Sequence, residues 1–289
     1  MSVVDLENVD PHASPETGSM RRIAPDVWRI VAPNPSPLTG PGTNTYVVGR
    51  SRRIVIDPGP ADPLHVDRIL EVTGGAVEHI VCTHSHPDHS PGAVSLRATT
   101  GGVVCGMPPP DDGYQDDTYV PDRILADGDV ITHGDARLRV VHTPGHASNH
   151  VCLLLEPSGL LFTGDHLMSG STVVILPPDG SMRLYLQSLE RLREMPIADL
   201  APGHGSLMPN AMDEIDRVRA HRLLRESKVV AALRERGSGT LDEILPVVYG
   251  DVPRFMHPVA KYSLLAHVLK LEEEGRAAQN GETWSWRGD

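Results

Sequence analysis

Between Met20 and about residue 210, short apolar runs alternate with turns rich in Gly, Pro and Asp. Eight of these runs have the length and the β-branched content of strands. In chain order they are DVWRIVA, NTYVVG, RRIVIDPG, EHIVCTH, GGVVCG, ARLRVVHTPG, HVCLLLE and GLLFTGD. Many strands with fewer helices between them predict an α/β fold in which helices cover the outer faces of sheets.

Three segments between the strands predict helices, namely DPLHVDRILEVTG, SPGAVSLRATTG and SMRLYLQSLERLREM. In the second segment, Ser90 is the predicted N-cap and Pro91 the first helical residue. In the third segment, Leu189, Leu192 and Met195 recur three residues apart, which favours a helix packed against a sheet.

After Asn210 the pattern becomes helical. DEIDRVRAHRLLRESKVVAALRERG predicts one long helix, TLDEILPVV begins with a capping box of Thr240 and Glu243, and HPVAKYSLLAHVLKLEEEG predicts a third helix. AAQNGETWSWR then predicts a hairpin around an Asn-Gly turn. Three helices followed by a hairpin are the order of a winged-helix module.

These patterns predict a main domain over residues 21–212 and a small winged-helix-like domain over residues 213–289, with the boundary near 237 if the long helix belongs to the main domain. Residues 1–20 lack the charged and apolar regions of a secretory signal and predict a mobile arm. No apolar run is long enough to span a membrane, and the three cysteines form no CxxC pair. We therefore expect a cytoplasmic protein with reduced thiols that does not contact a membrane.

The formal net charge is −12, and the whole excess lies within residues 1–220. Residues 1–220 hold 16 basic and 28 acidic residues, whereas residues 221–289 hold 10 of each. Nonspecific binding to a phosphate backbone depends on Lys and Arg. An acidic main domain therefore disfavours that mode of binding, although it does not exclude a local basic groove.

The segment VCTHSHPDHSPGA places three histidines and an aspartate in six positions: His84, His86, Asp88 and His89. Such a cluster is either a solvated loop after a strand or one wall of a metal site. Three later turns at strand ends also finish in side chains that suit a metal. These are HTPGH with His146, FTGDH with Asp165, and APGHG with His204. Each alone is usually a turn residue, but their joint occurrence favours the metal site.

Imidazole nitrogen and carboxylate oxygen are the ligands that zinc prefers, and two zinc ions can share a bridging carboxylate and hydroxide. We expect two Zn²⁺, although Mn²⁺ or Fe²⁺ would suit the same ligands. One ion is expected to take His84, His86 and His146, the other Asp88, His89 and His204, with Asp165 bridging them. Asp88, which can orient the attacking hydroxide, and Asp165 are the predicted catalytic residues.

The set of motifs resembles the metallo-beta-lactamase superfamily, whose H-x-H-x-D-H motif matches residues 84–89 and whose later ligand motifs match His146, Asp165 and His204. The resemblance covers roughly residues 20–212 and implies an αββα sandwich with the metals at one sheet edge. A narrower resemblance, to the beta-lactamase-like protein 2 group, extends over the tail. The usual Gly-Gly after the motif is replaced here by Ser90-Pro91-Gly92.

The expected reaction is hydrolysis of an ester-type bond, in a thioester, ester or lactone, by a metal-bridging hydroxide. Asp165 resembles the bridging carboxylate of thioester, lactone and phosphodiester hydrolases, whereas true beta-lactamases lack it. The alternative, which the narrower resemblance implies, is a single-stranded RNA endoribonuclease. Two further alternatives are a nucleic-acid-binding regulator stabilised by metal and an iron-dependent persulfide oxygenase.

Several residues keep two interpretations. His150 is either a support that holds a ligand in position or a core histidine. Asp57 either orients a ligand imidazole or caps a turn. His166 follows the bridging Asp165 and is interpreted as an exposed or supporting imidazole, and Trp284 and Trp286 either stack on bases or pack the hairpin. The tail also allows a homodimer.

Overall fold

The computed structural model describes residues 12–134 and 136–288, and its contacts divide these into two compact units. The first unit comprises the described residues up to Thr143 together with Asn149–Thr172 and Met195–Met212. The second comprises Pro144–Ser148, Val173–Glu194 and the described residues from Asp213 onward. Most of the predicted N-terminal arm lies outside the described residues, and the predicted domain limits of 21–212 and 213–289 stay predictions.

The chain forms fifteen strands within the described residues. They are β1 Met20–Ala24, β2 Val27–Val31, β3 Asn44–Val48, β4 Arg53–Ile56, β5 Val77–Val81, β6 Val103–Gly106, β7 Arg123–Ile124, β8 Val130–His133, β9 Ala136–His142, β10 Val151–Glu156, β11 Leu160–Gly164, β12 Asp199–Pro202, β13 Ser238–Thr240, β14 Ala277–Asn280 and β15 Thr283–Trp286. All eight strands predicted between residues 26 and 165 are confirmed. The sequence patterns did not identify β1, β7, β8, β12 or β13, which are short or mixed in polarity.

Two sheets make up the first unit. The seven-stranded sheet has the order β1-β2-β3-β4-β5-β6-β7, with antiparallel pairing from β1 to β4 and parallel pairing from β4 to β7. The five-stranded sheet has the order β12-β11-β10-β9-β8, and only β11 and β12 pair in parallel. The strands β9, β11 and β12 therefore run in one direction.

The main core lies between the two sheets, because one buried cluster draws alternate residues from both. Tyr46 of β3 and Phe162 of β11 are in contact across it, with ring centroids 5.0 Å apart. A second cluster covers the other face of the seven-stranded sheet. Burying an aliphatic or aromatic side chain contributes roughly 1.5–3 kcal/mol, so these clusters supply most of the driving force that holds the layers together.

The helices are α1 Pro63–Thr73, α2 Gly92–Thr100, α3 Met182–Arg193, α4 Ala211–Arg236, α5 Leu241–Val248 and α6 His257–Glu273, with a short 3-10 helix at Arg254–Met256. Ile69 of α1 and Leu96 of α2 are fully buried in the cluster on the seven-stranded sheet. The predicted start of α2 was wrong. Pro91, not Ser90, is the N-cap, because the Ser90 hydroxyl donates to Asp116 Oδ2 at 2.7 Å instead of capping the helix.

The second unit contains α3, α5, α6, the part of α4 from Asp213 onward, and a three-stranded sheet of order β13-β15-β14. The capping box is confirmed, since the Thr240 hydroxyl accepts from the Glu243 N–H and the Glu243 carboxylate accepts from the Thr240 N–H. The hairpin of β14 and β15 is also confirmed. Trp284, 1% exposed, packs with the helices of this unit.

Among the helices of the described residues, none has both the length and the apolar character needed to cross a membrane.

Candidate metal centre

The segments that carry most candidate ligands follow the carboxyl ends of two pairs of parallel strands, one pair in each sheet of the first unit. β4 and β5 pair in parallel, and Asp57 follows the first while the segment of residues 84–89 follows the second. Asp165 follows β11, and His204 comes two residues after β12, which is parallel to it. Parallel strands end at the same edge of a sheet, so chain segments far apart in sequence are brought together there.

A buried carboxylate supports His89. The Nδ1 of His89 donates to Asp57 Oδ2 at 2.9 Å, which leaves Nε2 pointing toward Asp88 and Asp165. Asp57 is held in turn, because its two carboxylate oxygens accept from the backbone N–H and the hydroxyl of Thr83 at 2.7 and 2.8 Å. A carboxylate that orients a ligand imidazole is a common feature of metal sites. Asp57 thus holds Thr83 at the start of the ligand segment and supports His89.

The two carboxylates of the cluster lie between two imidazoles. His89 Nε2 is 3.5 Å from Asp88 Oδ2 and 3.4 Å from Asp165 Oδ1. His204 Nε2 is 3.2 Å from Asp88 Oδ2 and 3.3 Å from Asp165 Oδ1. His89 is fully buried, whereas the Asp88 side chain is 29% exposed. The cluster is therefore closed on the His89 side and open to solvent at Asp88.

His84 and His86 lie next to this cluster. The Nε2 of His84 and the Nδ1 of His86 are 3.0 Å apart, and the two rings are close to perpendicular. One ligand atom each from His84, His89 and Asp165 lie within 4.8 Å of one another. His84, Asp88 and His89 of the H-x-H-x-D-H segment thus lie beside Asp165 or His204 within the first unit.

His146 belongs to the second unit. Its Nδ1 donates to the Val174 carbonyl oxygen at 2.8 Å, which fixes the ring and directs Nε2 away from that bond. Gly145, with φ +147°, precedes it, and a Cβ at Gly145 would lie 2.4 Å from the Tyr185 Cα. The loop therefore requires glycine at that position. The role of His146 as a metal ligand stays a prediction.

His150 supports the segment that carries Asp165. Its Nε2 accepts from the Asp165 backbone N–H at 3.1 Å, and its Nδ1 lies 2.9 Å from the Thr143 hydroxyl oxygen. The preceding Gly164 has φ +45°, and a Cβ there would lie 2.7 Å from His150 Nε2. The close approach of strand and imidazole explains the glycine. His150 is thus a buried support, and His166 is likewise fully buried, with its ring 5.9 Å from that of His150.

The electrostatics of the cluster favour a cation. Burial alone would lower the pKa of an imidazole, but the carboxylates of Asp88 and Asp165 outweigh it, keeping the pKa of His89 well above its ordinary value and raising the pKa of His204 to about 9. Burial alone would raise the pKa of a carboxyl, yet the two imidazoles lower the pKa of Asp88 to about 2 and hold the pKa of Asp165 well below its ordinary value. Positive charge is needed between these carboxylates.

These residues fit a divalent metal. His89 Nε2 is buried and makes no hydrogen bond within the described part of the chain, although two carboxylate oxygens lie about it at 3.4 and 3.5 Å. A buried polar atom without a hydrogen bond requires another partner. Imidazole nitrogens and carboxylate oxygens are together the donors that zinc, manganese and iron accept.

Sequence reasoning missed a loop that holds the ligand segment from outside. Gln115 and Asp116, between β6 and β7, contact Ser85 and Ser90. No motif marks them, and the only local signal is the run of turn residues DDGYQDD.

Three of the residues considered for a nucleic-acid surface in the winged helix are internal. Trp284 is 1% exposed, and Lys270 and His267 are buried beside Glu226. Trp286 is partly exposed, with the guanidinium groups of Arg234 and Arg276 over its ring. The packing interpretation of Trp284 is confirmed, and this residue cannot stack on a base without unfolding of the domain.

Comparison with known families identifies both parts of the chain. The model of the metallo-beta-lactamase superfamily matches residues 38–204, more than half of the sequence. The model of the beta-lactamase associated winged helix domain matches residues 240–286. A metallo-beta-lactamase family protein from Thermus thermophilus shares the fold with a TM-score of 0.76 at 23% identity, over 92% of this chain and 100% of that one.

Two curated relatives align with most of the chain. The beta-lactamase-like protein 2 homolog of Drosophila melanogaster is 32% identical over 89% of this chain and 91% of its own length. The atrochrysone carboxyl ACP thioesterase of Aspergillus chevalieri is 34% identical over 91% of this chain and 86% of its own length. The predicted resemblance and fold class are confirmed: the chain belongs to the metallo-beta-lactamase superfamily and is a hydrolase that carries a C-terminal winged-helix domain.

Proposed function

We propose that this hydrolase uses two divalent metal ions, with zinc as the resident metal, to cleave an ester-type acyl bond, and that a thioester is the preferred substrate. The observation that carries the proposal is the convergence of His89, His204, Asp88 and Asp165, with imidazole and carboxylate atoms 3.2–3.5 Å apart. The thioester class is supported by the similarity to a fungal acyl carrier protein thioesterase over 91% of the chain.

The ligands proposed for the two ions are those expected from the sequence, divided into His84, His86 and His146 for one ion and Asp88, His89 and His204 for the other, with Asp165 shared. When bound, such metals act as Lewis acids that polarise a carbonyl group and make water more acidic. Within the chain, Asp57 and His150 hold His89 and the Asp165 backbone in place. This support keeps the ligand atoms preorganised, which matters because a fixed arrangement does not have to reorganise during the reaction.

Asp88 and Asp165 take different roles in this proposal. The Asp88 side chain is 29% exposed and that of Asp165 is 11% exposed, so Asp88 is the carboxylate that water and substrate can approach. Because the pKa of Asp88 is lowered to about 2, its carboxylate is ionised at neutral pH and accepts a hydrogen bond from an attacking water. Asp165, the more buried of the two, serves as the shared anchor.

The RNA alternative requires a nucleic-acid surface. The burial of Trp284, Lys270 and His267 removes three candidates for such a surface in the winged helix, and the chain carries a net charge of −12. These features favour a small acyl substrate over a polyanion. A cytoplasmic location and a homodimer stay predictions.

The test compares two substrates on one preparation. Purified protein loaded with Zn²⁺ is given an acyl N-acetylcysteamine thioester and, separately, a labelled single-stranded RNA. We expect turnover of the thioester that is lost in Asp165→Asn and retained in Asp67→Asn, a matched change of an exposed aspartate on α1. Metal content is measured on the protein as purified, before Zn²⁺ is added.

The other outcomes decide against the proposal in distinct ways. Internal cuts in the RNA without thioester turnover would assign the endoribonuclease. One iron per chain, with oxygen uptake on a persulfide substrate, would assign the oxygenase. The regulator would be assigned if the full chain hydrolysed neither the thioester nor the RNA but bound DNA sequence-selectively, and if Asp165→Asn left that DNA binding intact.

A further inference from the structure

The loop of residues 112–119, called here the clamp loop, contacts the ligand segment at the residue between His84 and His86. The Asp116 backbone N–H donates to the Ser85 carbonyl oxygen at 2.8 Å. The Ser85 hydroxyl donates to Gln115 Oε1 at 2.5 Å, and Ser85 is fully buried. The clamp loop therefore holds Ser85 by both its main chain and its side chain.

The clamp loop also holds the residue after His89. The Ser90 hydroxyl donates to Asp116 Oδ2 at 2.7 Å, and the other oxygen of this carboxylate accepts from the Thr118 N–H and hydroxyl at 2.9 and 2.6 Å. Asp116 is 7% exposed, so this bond is shielded from water. A glycine at position 90 could not donate it. The departure from Gly-Gly thus provides an attachment of the ligand segment to the clamp loop.

Four side chains extend this contact into a chain of hydrogen bonds that all run in one direction. Asn149 Nδ2 donates to Ser85 Oγ at 2.7 Å, Ser85 donates to Gln115, and Gln115 Nε2 donates to Asp112 Oδ2 at 2.9 Å. Hydrogen bonds aligned in this way polarise and strengthen one another. Asn149 directly precedes His150, which accepts from the Asp165 N–H. This row of hydrogen bonds thus links the ligand segment to the residue before His150, the imidazole that supports the Asp165 backbone.

We propose that Gln115 is a positioning residue for the metal centre, which it serves by fixing Ser85 and with it the two flanking imidazoles. The ring nitrogens of His84 and His86 lie 3.0 Å apart, an arrangement that depends on the backbone between them. The hydrogen bonds of the Gln115 side chain go to Ser85 and Asp112, neither of which is a candidate ligand. The inference rests on the proposed function only in that the site holds a divalent metal.

The test measures zinc affinity directly, by competition between the full-length protein and a chromogenic chelator, with Zn²⁺ as the only probe. Gln115→Ala and Ser85→Ala are each expected to weaken zinc binding by about 10–100-fold, the range seen when outer partners of metal ligands are removed. The zinc affinity of the double variant is expected to equal that of the single variant with the lower affinity. Both changes interrupt the same row of hydrogen bonds, so their effects should not add. Gln187→Ala, an exposed glutamine on α3, is the matched control and should bind zinc as the wild type does.

A paired exchange distinguishes positioning from general damage. In Gln115→Glu with Asp112→Asn, the donor and acceptor of the 115–112 bond change places while an acceptor for Ser85 is retained. This double variant should recover most of the zinc affinity that Gln115→Ala loses. Melting temperatures of the metal-free proteins are recorded in parallel to measure any loss of stability.

Three results would overturn the proposal. The first is wild-type zinc affinity in Gln115→Ala together with a lower metal-free melting temperature, which would make the loop a purely structural feature. The second is a double variant whose fold-loss of zinc affinity equals the product of the two single-variant losses, which would mean that the two residues act independently. The third is a wild type that binds no zinc, since there would be no centre to position. A wild type that binds zinc but hydrolyses no acyl substrate would refute the proposed function and leave this inference standing.

Discussion

His150 accepts a hydrogen bond from the backbone N–H of Asp165, with 3.1 Å between that nitrogen and His150 Nε2. The Nδ1 of the same ring is 2.9 Å from the Thr143 hydroxyl oxygen, and that hydroxyl donates to Cys152 Sγ at 3.3 Å. His150 is therefore neutral with its proton on Nδ1, because Nε2 must be an acceptor. This imidazole connects β9, β10 and the turn that carries Asp165.

Removal of that imidazole should destabilise the fold and the site together. We expect His150→Leu to lower the free energy of unfolding by about 2–4 kcal/mol, because a buried N–H and a buried hydroxyl each lose a partner. The measurement is urea unfolding of the metal-free protein. His150→Gln, which retains both a donor and an acceptor, serves as the control and should lose less. Equal stability of the Leu variant and the wild type would contradict this role.

Metal binding should release protons, with an affinity that rises with pH. In the metal-free protein the pKa of His204 is raised to about 9 by Asp165 and Asp88, so the ring is protonated at pH 7, and His89 is protonated too. A metal ion binds only the neutral ring. Between pH 7 and 9 we expect zinc affinity to rise about tenfold per pH unit for each displaced proton.

Calorimetry in buffers of different ionisation enthalpy counts those protons. The raised pKa of His204 also means that its charged form stabilises the metal-free fold fully below about pH 6.5, its ordinary value, and that this stabilisation is lost as pH rises through about 9. The melting temperature of metal-free protein should therefore fall over that window, while metal-loaded protein should not follow it. Zinc binding without proton release at pH 7 would be the contrary result.

The buried ion pair of Glu226 and Lys270 should matter for the stability of the second unit. Lys270 Nζ lies 3.0 and 2.9 Å from the two oxygens of Glu226. We expect Lys270→Met to cost about 3 kcal/mol, because it leaves a buried carboxylate without its main partner. The double variant Glu226→Leu with Lys270→Met should recover most of this loss, which urea unfolding measures. A larger loss in the double variant than in the single one would contradict the pairing.

The same pair makes the stability of the second unit depend on pH in the acid range. Burial alone would raise the pKa of Glu226, but the interactions with His267 and Lys270 outweigh it and lower that pKa below its ordinary value near 4.5. A carboxylate with a lowered pKa stabilises the fold above the unfolded value and loses that contribution as pH falls through the folded one. The advantage of wild type over the double variant should therefore shrink below about pH 4.5.

The two tryptophans of the hairpin should differ in their effect on stability. Trp284→Ala removes a fully buried ring and is expected to cost about 3–5 kcal/mol. Trp286→Ala loses contacts with two guanidinium groups, 4.8 and 5.4 Å from its ring centroid, and is expected to cost about 1 kcal/mol. Urea unfolding of both variants distinguishes them, and comparable losses would contradict this assignment.

The start of α2 shows where local reasoning fails. Ser90 before Pro91 is a common signature of a helix start, and the local pattern has no other use for the hydroxyl. In the structure Asp116, 26 residues away, accepts that hydrogen bond instead. A long-range partner of this kind leaves no periodic trace in the sequence.

The sequence by itself determined eight of the twelve strands of the first unit, the capping box at Thr240, the Asn-Gly hairpin and the identity of the candidate ligands. These features depend on contacts between near neighbours and on side-chain chemistry, which are written in the order of residues. Only the tertiary structure decided that Asp57 supports His89, that His150 holds the Asp165 backbone, and that Gln115 and Asp116 fasten the ligand segment. Those partners lie on strand ends and loops that meet only after the sheets have formed, because parallel pairing joins distant parts of the chain.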